Sequence, residues 1–145
     1  MGEGPDALTP KERVASECAR RGDLAVVATC RDLVRGRSVD PDLLIALAGP
    51  GATKYFDGRP HDDVYWWRVW GARGLLWNWD ASATDDVRVA LTDDAWRVRE
   101  MALKVVARHQ LGDLVDDAAA RREDPVPRVR AAADRAIAVL TASGA

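Results

Sequence analysis

The side chains that could do chemistry in this chain form two unequal sets, a sparse group of nucleophiles and metal ligands and a dense group of guanidiniums. His61 and His109 have no cysteine, histidine or carboxylate at metal-ligand spacing, and neither His-Glu-x-x-His nor Cys-x-x-Cys occurs. Both histidines read as structural. Cys18 and Cys30, the only cysteines, are too far apart for a paired metal motif and read as reduced, small core residues on adjacent helices. The stretch GPGATK holds glycine and lysine without the spaced Gly-Lys-Ser/Thr of a phosphate loop, so it reads as a turn. No catalytic residue, metal site or cofactor is assigned from this inventory.

The cations are better organised. A helical wheel puts Arg97, Glu100, Lys104 and Arg108 on the solvent side of a helix over 94–109. Positions 31 residues earlier are Trp66, Val69, Arg73 and Trp77, and 31 later Arg128, Ala131, Arg135 and Val139. Six cations and one acid make this face about +5 in a chain of formal charge −2. With eighteen arginines against three lysines, arginine abundance alone says little. An ordinary solvated face would explain the stripe, but not Arg97 in a first helical turn, where a cation opposes the dipole. Nor would it explain Trp66 and Trp77 beside the guanidiniums, an arrangement suited to base stacking, cation–π contact or a protein hot spot. Of the six tryptophans five lie between 66 and 79, and Trp67 and Trp70 read as core filling under the neighbouring loop.

These side chains need helices to carry them. Thr9-Pro10-Lys11-Glu12 has the form of a capping box and opens a helix over about 10–21 that Gly22 ends. Asp23 caps a second, with Leu24, Val27, Ala28 and Val34 facing inward before Gly36, and Asp40-Pro41 opens a third that runs to 48. Residues 49–62 read as the one long loop, whose Tyr55 and Phe56 must be buried or used. From Asp62 the chain repeats. Asp62, Asp93 and Asp124 stand 31 apart, as do Trp67, Val98 and Val129, and Arg68, Arg99 and Arg130. Gly71, Ala102 and Ala133 are small in the same register, Leu75, Val106 and Ile137 apolar, and Asp85-Asp86 recurs as Asp116-Asp117. A period in this range with a helix pair per unit predicts a stacked α-solenoid.

A turn aspartate followed by a Val-Arg pair early in the second helix resembles HEAT repeats of the short bacterial type, over about 62–141. The pattern does not extend upstream, where Arg31 and Gly36 fall at the aspartate and apolar positions. The resemblance implies an all-α solenoid of about three HEAT-like helix pairs with an atypical N-terminal helical cap. It also implies a hydrogen-bonded ladder of Asp62, Asp93 and Asp124 with Arg68, Arg99 and Arg130, which would account for an arginine among the apolar positions of DDAWRVREMALKVVARH. The second helices would line a concave, partner-binding face of Trp66, Arg73, Trp77, Arg97, Glu100, Lys104, Arg108, Arg128 and Arg135. Trp96, Leu103 and Ala107 would pack on the next repeat, and their equivalents Pro127, Asp134 and Ala138 suit a terminal repeat that meets water.

The function expected from this is a non-catalytic module that binds another protein on its concave face. Nucleic-acid binding in the same basic, Trp-containing groove is the alternative, as in HEAT-like alkylpurine DNA glycosylases. This chain departs from those in being much shorter and in having Glu100 as its only concave acid. At 145 residues one domain, 1–145, is expected, with monomer favoured. The net charge of −2 argues against attraction of the whole surface to nucleic acid or anionic membrane. No apolar run approaches the roughly eighteen residues of a membrane span. MGEGPDALTP lacks the regions of a signal peptide, and Asp6 stands where myristoylation wants serine or threonine, so a cytoplasmic location is expected.

Overall fold

The computed structural model describes residues 8–144, and the reading of the first residues as free of a targeting signal lies outside them. Every regular element among the described residues is helical, and none of these helices is long and apolar enough to cross a membrane. Helix α1 is Pro10–Arg21, where the Thr9 hydroxyl accepts from the Glu12 N–H at 3.2 Å and the Glu12 carboxylate accepts from the Thr9 N–H at 2.9 Å. Gly22, at φ 93°, ends it in a conformation that other residues rarely adopt. Helices α2 (Asp23–Val34), α3 (Pro41–Ala48), α4 (Tyr65–Trp77) and α5 (Thr84–Ala90) follow. Then come α6 (Trp96–His109), α7 (Val115–Ala120) and α8 (Pro127–Gly144).

Three sequence expectations about the N-terminal part need correction. Leu24 is 69% exposed and Ala28 is also exposed, whereas Val26, Val27, Cys30, Leu33 and Val34 are buried. At 100° per residue, Leu24 and Ala28 each lie about 160° from Val26 on the helix circumference, so they cannot share its face. Nor does Asp23 cap this helix, since the cap position is Gly22 and no side chain bonds there. The segment 49–62 is not all loop, because Pro50–Phe56 forms a 3₁₀ helix. It is held by the Tyr55 hydroxyl, which donates to the Asp63 carbonyl at 3.2 Å. The Tyr55 ring also sits edge-on to Trp67 and Trp70, at 5.6 and 6.0 Å.

Helices α2, α4, α6 and α8 pack each against the next, with α5 beside α2 and α6, and α7 beside α8. Helix α1 crosses α2, α3 and α4. The recurring positions meet one core: Leu75, Val98, Ala102, Val106, Val129 and Ala133 are fully buried and Ile137 nearly so. The first seam is the tightest. A Cβ on Gly71 would lie 2.7 Å from the Cys30 carbonyl oxygen and 2.9 Å from the Val34 nitrogen, so glycine lets α4 rest on the backbone of α2. Alanine suffices one and two periods later.

Ion pairs fix the register of these seams. Arg68 donates to both carboxylate oxygens of Asp93 at 2.7 and 3.1 Å, and Arg99 donates to both of Asp124 at 2.8 and 3.0 Å. Arg99 also donates to the Asp93 and Asp94 carbonyls at 2.8 and 3.2 Å. The carboxylates in turn accept from the Ala95 and Val126 N–H groups that lead into α6 and α8. Arg130 makes one bond of this kind, to the Asp124 carbonyl at 2.7 Å. Asp62 is exposed and outside these bonds: Arg37, 31 residues before Arg68, pairs instead with Asp32 at 3.1 Å. A second row lies on the side of the short helices. Asp86 of α5, 2% exposed, accepts from Arg31 of α2 and from Arg35 at its C-terminal cap, each at 2.6 Å, and Arg88 of α5 stands 3.6 Å from Asp117 of α7.

Gly71→Ala is expected to lower the denaturant midpoint, because overpacking of about 1–3 kcal/mol outweighs a helix-propensity gain of about 1 kcal/mol. Gly112→Ala, where an added Cβ meets nothing within 4 Å, serves as the control and should leave the midpoint unchanged or slightly raised. Arg99→Ala strands a fully buried carboxylate and should cost about 3–5 kcal/mol, against about 1 kcal/mol or less for Arg130→Ala. Burial alone would raise the Asp124 carboxyl, but the Arg99 guanidinium and the Val126 N–H outweigh it and hold the group below the ordinary value of 3.8. Its contribution is therefore complete above that value and is lost as pH falls through the lowered one. Asp124→Asn should flatten the acid limb of the stability profile, measured by urea melts at successive pH values.

Candidate interaction face

The solvent sides of α4, α6 and α8 form one surface, because the three helices pack in succession at the same register. Its two ends differ. At the helix starts, guanidiniums alternate with indoles. Arg97 lies 5.2 Å from the Trp66 ring and 4.4 Å from Trp96, and Arg128 of α8 reaches across the α6–α8 seam to lie 5.1 Å from the Trp96 ring. Arg128 also holds Glu100 with two bonds, at 2.9 and 3.1 Å. Trp66 continues the stack to Trp70 at 6.3 Å and to Tyr65 at 5.5 Å. The two indoles offset the unfavourable position of Arg97 at the positive end of α6. Four of the expected site residues, Trp66, Arg97, Glu100 and Arg128, are therefore engaged with one another or with Trp96.

Towards the helix ends the surface opens into a groove of about 390 Å³. Leu76, Leu103, Ala107 and Ala132 make an apolar floor, with Trp77 at one edge and Lys104, Arg108 and Arg135 around the rim. The Arg108 Nε–H donates to the Leu76 carbonyl at 2.7 Å. His109 bonds the Leu75 carbonyl through Nε2 at 2.7 Å, which makes that nitrogen the protonated one, and its ring stacks on Trp79 at 4.8 Å. These two α6 side chains thus satisfy carbonyls that the last turn of α4 leaves without helical donors. Lys104 and Arg135 have no ion pair or hydrogen bond among the described residues.

Arg73 belongs to neither end. It is half-buried near Arg13 of α1, and burial, followed by the charge of Arg13, pushes its pKa below the usual arginine value. Helix α1 also flanks the other side of Trp77, through Val14 and Cys18. Cys30 is buried against Gly74, and desolvation raises its thiol to about 12. His61 is bonded to Asp57 at 3.0 Å and lies edge-on to Tyr55. Among the described residues no three histidines, cysteines or carboxylates converge as metal ligands.

Sequence reasoning missed Trp96, which it assigned to packing between repeats, and the partners of Asp86, of which it saw only the recurrence as Asp117. Trp96 could have been found, because it precedes Arg97 and Arg128 is the equivalent of Arg97 on the next helix. The stripe equivalents Pro127, Asp134 and Ala138 are exposed on α8, with Asp134 3.5 Å from Arg122.

His109→Phe keeps a ring over Trp79 but removes the donor to Leu75, and is expected to cost about 1 kcal/mol in a denaturant melt. A loss no greater than that of an exposed substitution such as Ala138→Ser would show that the carbonyl is equally well served by water. No family model matches the chain, and no similar curated protein or solved structure is found for it.

Proposed function

We propose that residues 62–141 form a short HEAT-like solenoid of about three helix pairs, capped by the N-terminal helices, and that its α4–α6–α8 face docks another protein. The supporting observation is the groove itself, an apolar floor beside Trp77 with Lys104 and Arg135 uncommitted at its rim. Apolar floors with aromatic and cationic borders suit polypeptide hot spots. Continuous phosphate tracking needs a longer run of free cations, and Arg97 and Arg128 are already held by indoles and Glu100.

The test places a photocrosslinking benzoylphenylalanine at Trp77, and in a second protein at the exposed Ala120 of α7. Polypeptide adducts at the first position and not the second are the expected result. Single-stranded DNA is expected to bind no tighter than millimolar at about 150 mM salt, measured by fluorescence anisotropy. Micromolar DNA binding abolished by Lys104→Glu with Arg135→Glu would replace protein docking with nucleic-acid recognition.

A further inference from the structure

We infer that the occupant of the groove is an acidic segment of a partner polypeptide, anchored by a large apolar side chain. This rests on the docking proposal above and adds the chemistry of the partner. Lys104 and Arg135 are equivalent positions one repeat apart, so they face each other across the α6–α8 seam at about the 8–10 Å spacing of packed helices. Arg108 is one turn, about 5–6 Å, further along α6, and only its Nε–H is taken by Leu76. Three positive groups therefore surround one apolar floor, and no acid lines it. The face's single carboxylate, Glu100, is neutralised by Arg128 outside the groove.

Each part of this geometry selects. The floor, whose accessible part comes from Leu76 and Ala107 over the buried Leu103 and Ala132, offers nothing to a phosphate or sugar, and its volume is at the small end of ligand pockets, room for one or two side chains. Trp77 supplies a flat apolar wall for such an anchor. The rim matches two or three carboxylates within a few residues of it, either one turn apart along a helix or alternating along an extended strand. A basic segment would meet three like charges, and a neutral one would leave two desolvated cations without partners.

The probe is the dodecapeptide EELLEEWLEELE-amide carrying carboxyfluorescein on its N-terminal amine, with one version in which every glutamate is lysine and another in which the leucines and tryptophan are alanine. Anisotropy titrations use the full chain, with variants first checked for helical circular dichroism. The acidic amphipathic peptide is expected to bind at least about tenfold more tightly than either version. Lys104→Glu with Arg135→Glu should weaken it about tenfold or more and favour the lysine peptide. Ala107→Trp, which fills the floor without changing charge, should weaken it about fivefold or more. Arg122→Glu, outside the groove, should have no effect.

Equal or tighter binding of the lysine peptide would overturn the acidic assignment while leaving docking at this face intact. Binding unaffected by both groove variants would place the peptide elsewhere and also overturn it. If none of the peptides binds up to millimolar concentration the inference fails, whereas the docking proposal is decided separately by the adducts at Trp77.

Discussion

The guanidinium of Arg99 is shared between two loops, and the arrangement of the successive helices depends on that sharing. One terminal nitrogen holds the carbonyls of Asp93 and Asp94 in the loop before its own helix, while the other nitrogens hold the carboxylate of Asp124 in the next loop. Asp124 in turn orients the chain into α8 through the Val126 N–H. Loop and helix start are thereby specified together. A lysine could not replace it, because an ammonium has three donors on one nitrogen, against four bonds here that include a two-pronged grip on the carboxylate. The arginine occupies a position that helical periodicity marks as apolar because the seam there contains carbonyls and a carboxylate as well as methyl groups.

Such pairs contribute more to register than to net stability. Desolvating both charges offsets much of their attraction, while a slipped seam would leave Asp124 or Asp86 buried and unpaired at a cost of several kcal/mol. The two rows of ion pairs lie on different sides of the α2–α4–α6–α8 succession, one at the loops entering the long helices and one across the short helices. Apolar packing could tolerate small slides between helices. The charged rows do not, and the alignment of Lys104 with Arg135 across the groove follows from them.

The sequence made the all-helical class legible because caps, breakers and a period of 31 agree with one another, as at Thr9 with Glu12 and at Asp40-Pro41. It also marked which positions recur and which face solvent. What it left hidden has physical reasons. The face buried by α2 is ambiguous because valines and alanines occur all round it, so Leu24 and Ala28 could be placed inside only by ignoring Val26. The bonds of Arg31 and Arg35 to Asp86 span more than fifty residues and cross from the irregular N-terminal part into the repeats, where no period connects them. On the α4–α6–α8 face, a wheel counts cations but cannot see that Arg97 lies between indoles or that Arg128 holds Glu100. The free charge is therefore concentrated at one end of a stripe that looks uniform in sequence.

The side chains at the far ends of the long helices tie the two walls of the groove unequally. Helix α4 is fastened to α6 at the start by Arg68 with Asp93 and at the finish by Arg108 and His109 on the Leu76 and Leu75 carbonyls. One period later those last two positions are Val139 and Leu140, which have no donors to offer α6. Among the described residues, side chains therefore bond α8 to its neighbour only at the Arg99–Asp124 and Glu100–Arg128 end. The wall bearing Trp77 and Lys104 is therefore cross-linked by side-chain bonds at both of its ends, and the wall bearing Arg135 at one.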